Sequence, residues 1–108
     1  MGTEMLYDQA GDWVAFRTDD RYLFSVNGTL VGWALPDQGG VLIDRNGGYL
    51  AEVVGDRLFR RTSPPFVANP GYQSDPGSPS MPSNPGNVGY ASFPSGMEDV
   101  PKDILPGA

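Results

Sequence analysis

The stretch that decides the fold is Leu23–Gly32, LFSVNGTLVG, because the chain repeats its pattern twice more. Leu6–Ala15 reads LYDQAGDWVA and Leu42–Ala51 reads LIDRNGGYLA. Each has two apolar residues, Asp or Ser, two variable positions, Gly and one more variable position. Two further apolar residues and then Ala or Gly complete it. A fourth start, LFRRT at Leu58, follows at similar spacing and runs into SPP. Self-similarity at a period of roughly 16–19 residues marks an internal repeat, which takes precedence over other readings.

Each unit predicts a β-hairpin. Asn27-Gly28 and Asn46-Gly47 are dipeptides that tolerate positive φ at a tight connection, and Ala10-Gly11 is a weaker version. Asp8, Ser25 and Asp44 stand just before the turn, where a short oxygen-bearing side chain can bond a nearby backbone N–H. Further turn signals lie between the units, at Thr18-Asp19-Asp20, Pro36–Gly40 (PDQGG) and Gly55-Asp56. Strands are therefore expected at about 5–9, 12–17, 21–26, 29–35, 41–45, 49–54 and 57–62. Turn residues every eight to ten positions leave no room for helices, so the fold class is all-β.

The last repeated position, Ala15, Gly32 and Ala51, is always small. A small residue fixed in a strand implies that another backbone passes close by; with hairpins arranged about one axis, these residues would meet near it. Strict alternation sets Leu30 and Gly32 on one face and Val31 and Trp33 on the other, so both faces carry apolar groups. Trp13, Trp33, Phe16, Phe24 and Tyr49 then either fill a core or leave a partly exposed groove.

Composition divides the chain. Ten of the eleven prolines follow Thr62, so residues 1–63 read as a repeated-hairpin core and 64–108 as a Pro/Gly/Ser-rich tail. About 87–100 of that tail is expected to pack back. A unit of about 60 residues buries only around 60% of its unfolded surface. With no cysteine to staple it, support must come from a closed core, the tail or oligomerisation. The net charge of −6 argues against general affinity for nucleic acid or an anionic membrane surface. No targeting segment and no 18-residue apolar run is visible, which makes the cytoplasm the expected location and an integral membrane segment unexpected.

Units of this kind, the fourth degenerate and followed by a Pro-rich tail ending near FPSGMEDV, resemble the bacterial four-fold beta-flower family. The resemblance covers about residues 4–62 and extends more weakly to Gly89–Val100. It implies a small barrel-like assembly of four hairpins spread as petals about a pseudo-four-fold axis, with shallow apolar channels. The shape is similar to tubby-like and scramblase-like barrels, which points to a lipid or other small hydrophobic ligand. No activity is established for that family as a whole, so nothing catalytic is implied. The fourth unit departs from the pattern: Ser63-Pro64-Pro65 stand where turn glycine belongs, leaving its second strand to Phe66-Val67 or to NVGYASF (Asn87–Phe93). WG/KWG-type and YD repeats share pieces of the motif, but neither accounts for the small residue after the second apolar pair.

Catalytic chemistry is hard to assemble. Without His or Cys, the Ser-His and Cys-His nucleophile systems and the common zinc sites are missing. Asp8, Asp19, Asp20 and Asp44 sit at turns, where turn chemistry explains them. No Gly-rich phosphate loop is present. The expectation is therefore no enzyme, no catalytic residue, no metal and no cofactor. Arg57, Arg60 and Arg61 form the one basic cluster, with Arg57 and Arg61 on one strand face and Arg60 on the other. Arginines beside an apolar groove can grip a phosphate or carboxylate head; charge on a strand edge also blocks edge-to-edge pairing. Prolines at 76, 79, 82 and 85 match the three-residue turn of polyproline II, as a spacer across the barrel or as a ligand for an aromatic groove. Val100, Ile104 and Leu105 offer apolar packing near the end.

The functional expectation is a non-catalytic binding module whose hydrophobic channel is lined by Trp13, Leu30, Val31, Trp33 and Tyr49. Arg60 and Arg61 stand near the ligand's head group. The alternative is a structural or interaction protein whose channel is covered by a second copy in a homo-oligomer, a partner or its own tail.

Overall fold

The computed structural model describes residues 2–35, 38–68, 71 and 73–107. Seven strands follow in chain order: β1 (Thr3–Tyr7), β2 (Trp13–Thr18), β3 (Tyr22–Ser25), β4 (Leu30–Leu35), β5 (Gln38–Asp44), β6 (Tyr49–Val54) and β7 (Arg57–Arg61). Each pairs antiparallel with the next, and a parallel pairing of Tyr7 with Arg57 closes β1 onto β7, giving a closed all-β barrel. An eighth strand, β8 (Met97–Asp99), pairs antiparallel with β7, and a 3-10 turn (Lys102–Ile104) follows it. The expected turn PDQGG is only partly seen: Pro36 and Asp37 lie outside the described residues, and Gln38–Gly40 begin β5. No helix among the described residues is long and apolar enough to cross a membrane.

Three hairpins share one turn. Gly11, Gly28 and Gly47 donate to the carbonyls of Asp8, Ser25 and Asp44 at 3.1, 2.9 and 3.1 Å. Those three residues in turn donate to Asp12, Thr29 and Gly48 at 3.0, 2.9 and 2.8 Å. Only the glycines have positive φ, at 92°, 85° and 88°. This is a three-residue connection with a left-handed glycine at its end, not a two-residue Asn-Gly turn. The position before the glycine keeps ordinary backbone angles, so Ala10 serves there as well as Asn27 and Asn46. The side chains of Asp8 and Asp44 accept backbone N–H groups of Asp12, Asn46 and Gly48, holding the loops shut.

The same hairpins also share a bulge. The leading leucines face the small residues, Leu6 with Ala15, Leu23 with Gly32 and Leu42 with Ala51, and the register then slips by one. The slip turns Val14, Val31 and Leu50 inward beside the small residue. This corrects strict alternation: Leu30 and Trp33 share the outer face, while Val31 lies against the inner core. A bulge inserts one unpaired residue, so positions three apart come onto one face.

The inner core gathers Leu6, Leu23, Leu42 and Leu58, all 0–1% exposed, with Ala15, Ala51, Val100 and Leu105. Fully burying each leucine contributes about 1.5–3 kcal/mol. Phe16, Phe24, Trp33 and Ile43 form a second cluster on the outer face. The tail runs over part of this cluster, where consecutive residues are tied down. Arg21 donates to the side chain of Gln73 at 2.9 Å, the Trp33 indole to the carbonyl of Ser74 at 2.9 Å, and Arg45 lies 3.9 Å from Asp75. The tail is not one polyproline rod, because Gly77 at φ 81° interrupts the run between Pro76 and Pro79.

Farther along, Val88 and Ala91 donate to the carbonyls of Gly11 and Gln9 at 3.0 and 2.9 Å. The partner of β7 is neither Phe66-Val67 nor Asn87–Phe93 but Met97–Asp99: Phe66 is 92% exposed, and Phe93 meets Phe59 edge-on at 5.0 Å.

Candidate functional site

A cleft of about 490 Å³ opens between the second and third hairpins. Its apolar wall is Leu30, Val31, Leu50 and Ile104, so the β4 and β6 bulges that turn Val31 and Leu50 inward also shape this mouth of the barrel. Pro106 belongs to the rim, and Leu105 beside it is 1% exposed in the inner core. Residues 104–107 thus cross the barrel end, and a β-carbon on Gly107 would meet Val26 and Asn27.

The polar side of the cleft carries Asp44, Arg45, Tyr49 and Arg60. Asp44 is committed to its own turn through Asn46 and Gly48. Arg60 follows Leu58 in β7 by two positions, so it shares that leucine's inward face. Its Nε is buried and makes no hydrogen bond, and Glu98 of the neighbouring strand stands 3.9 Å away.

Tyr49 sits at the cleft edge and links it to a network outside. Its hydroxyl donates to Glu52 at 2.9 Å and accepts the backbone N–H of Arg61 at 3.0 Å. Arg61 also binds the Glu52 carboxylate with its guanidinium. That hydrogen bond holds Glu52 below its ordinary value, against the opposing effect of burial. Burial pushes the Tyr49 hydroxyl up, and the bond to Glu52 raises Arg61.

The structure therefore brings together Leu30, Val31, Tyr49 and Arg60 of the sequence-derived site and separates the rest. Trp33 lines another cleft, of about 330 Å³, under the tail near Gln73. Trp13 packs against Phe16 on the outer face, with ring centroids 6.2 Å apart. Arg61 is engaged by Glu52 away from the cleft. Sequence reasoning missed Arg45 as a lining residue; its turn position carries no such signal. Ile104 was visible only as an apolar residue near the end. Among the described residues, no cluster of His, Cys, Asp or Glu is arranged to hold a metal ion.

A family model described as "4-fold beta flower protein" matches residues 1–96. No curated protein and no solved structure matches the chain.

Proposed function

The chain belongs to the 4-fold beta flower family, and from that premise we propose that it is a non-catalytic binding module. Its ligand is a lipid or other small hydrophobic molecule, held in the cleft at the barrel mouth. We read the strands as four petals, with β7 and β8 as the fourth. The observation that carries the binding reading is the cleft itself: about 490 Å³, in the usual range for small-molecule sites, with one apolar wall and a few polar groups opposite. The absence of His and Cys from the sequence favours binding over catalysis.

A second reading, an interaction protein, draws on Phe66 and Tyr90, which are exposed aromatics on the tail. A second copy or a partner would cover them. Native mass spectrometry of the protein purified from its host separates the two. A co-purifying apolar ligand, lost in Val31→Trp, which narrows the cleft from a partly exposed wall position, supports the binding module. A ligand-free dimer that Phe66→Ser returns to monomer supports the interaction protein.

A further inference from the structure

Deepening the cleft reading, and resting on it, we infer that the ligand is an anion: a small alkyl carboxylate whose head Arg60 holds. Its chain lies along Leu30, Val31, Leu50 and Ile104.

The ion pairs of the barrel carry this assignment. Arg17 reaches Glu4 at 2.6 Å, Arg57 reaches Asp56 at 3.0 Å, and Arg61 is bonded directly to Glu52. Two arginines instead stand 3.9 Å from their acids, Arg45 from Asp75 and Arg60 from Glu98, and both line the cleft. The slack pairs thus coincide with this cleft beside the inner core.

Arg60 is the stronger of the two anchors. Its Nε is enclosed and makes no hydrogen bond, and its ion-pair partner Glu98 stands at 3.9 Å, so the charge of this partly exposed guanidinium is only loosely matched. The enclosed Nε is closed to a ligand, but the Arg60 side chain stays about a quarter exposed, so a carboxylate entering the cleft meets the outer nitrogens of the planar guanidinium. Glu98 does not fill this role: it lies across the ladder on β8, half-exposed and beyond hydrogen-bond reach. Asp44, the acid that lines the cleft, is turned into its own loop. The wall opposite is hydrocarbon, which matches an alkyl chain and not a second charged group. With a net charge of −6, the protein does not draw anions from a distance. Discrimination therefore arises on contact at Arg60.

The test is calorimetric titration of the full chain at neutral pH with octanoate and with octan-1-ol, each below the concentration at which it self-associates. Octanoate is expected to bind about tenfold more tightly than octanol, the worth of one hydrogen bond to a charged group. Arg60→Gln is expected to remove most of the tenfold preference, bringing octanoate down to about the octanol level. Equal affinity of the two probes for the wild type, or a variant that weakens both alike, overturns the assignment of an anion and leaves the apolar cleft standing. No binding of either probe overturns the cleft reading and this inference together. Should Arg60→Gln fail to fold, the wild-type preference between the two probes decides.

Discussion

The backbone carbonyl of Ile43 occupies the place where a β-carbon on Gly32 would stand. Gly32 pairs with Asp44 across the junction of the second and third hairpins, so the backbone that passes close is β5 of the adjoining unit. Even alanine has to push a ladder carbonyl aside, and overpacking of this kind costs about 1–3 kcal/mol or more. Gly32→Ala is expected to lose about 3 kcal/mol and Gly32→Val more, measured by urea unfolding. A loss below about 0.5 kcal/mol, the ordinary surface range, would show that the two strands lie farther apart.

Gly11 and Gly55 both have positive φ, yet they predict different outcomes. A β-carbon at Gly55 meets nothing within 4 Å, whereas one at Gly11 falls on the backbone of Gly89. Gly55→Ala is expected to cost about 1 kcal/mol from backbone conformation alone. Gly11→Ala is expected to cost at least about 2 kcal/mol more, because the tail must leave the first hairpin turn. Equal losses in thermal unfolding would mean that residues 87–91 do not rest on this turn.

Seven strands were legible because each hairpin carries its own instruction: an acid or serine, two free positions and a glycine. The bulges were not, since a slip of register leaves no mark in a run such as Leu30-Val31-Gly32-Trp33. That is why Trp33, taken for a partner of Val31, emerges on the outer face instead. β8 was illegible for a different reason. Met97–Asp99 has neither β-branched residues nor alternation, and it becomes a strand only because β7 has a free edge for it. Arg60 was readable from plain alternation along β7. Arg45 and Ile104 come to the cleft from a turn and from the tail, where no period announces them.

Arg57 joins the tail to the closure of the barrel. Its Nη1 donates to the carbonyls of Asp8 at 3.0 Å and Gly89 at 2.7 Å, and the side chain is buried beside the Tyr7 pairing. Arg57→Met leaves the Gly89 carbonyl without this donor, at a cost of about 1–3 kcal/mol, and takes from the Asp8 carbonyl one of two donors, since Gly11 still bonds it. The expected total is about 3 kcal/mol in chemical denaturation, together with faster proteolysis between residues 87 and 91. The exposed Asp56 partner adds little to this figure. A variant as stable and as protease-resistant as the wild type would remove Arg57 from that role.

Glu52 gives the fold an acid-sensitive contribution. Its hydrogen bond from Arg61 lowers the carboxyl below its ordinary value of 4.5, so the unfolded chain takes up this proton first as pH falls. The contribution is present above the unfolded value and is lost as pH falls through the lowered folded value. Wild type is expected to melt above Glu52→Gln near neutral pH, with the gap closing as the solution is acidified below about 4.5. A gap that stays constant across that range would show that the Arg61 bond does not distinguish the ionised carboxylate.

Asp19 and Asp20, with φ of 55° and 54°, form the tight turn between β2 and β3, closed by the Arg21 N–H donating to the Thr18 carbonyl at 3.0 Å. Two successive left-handed residues define a turn in which Asp-Gly is among the preferred pairs, so Asp20 carries strain that glycine would relieve. The opposing effects are small. Glycine loosens the unfolded chain by a few tenths of a kcal/mol up to about 1 kcal/mol, and the Arg17–Asp20 pair, at 3.8 Å with Asp20 exposed, contributes little. Asp20→Gly is therefore expected to stabilise by about 0.5 kcal/mol, read as a higher urea midpoint at unchanged slope. Asp20→Val, a β-branched residue in the same left-handed position, is expected to destabilise by about 2 kcal/mol. The turn assignment falls if both substitutions move the midpoint in the same direction.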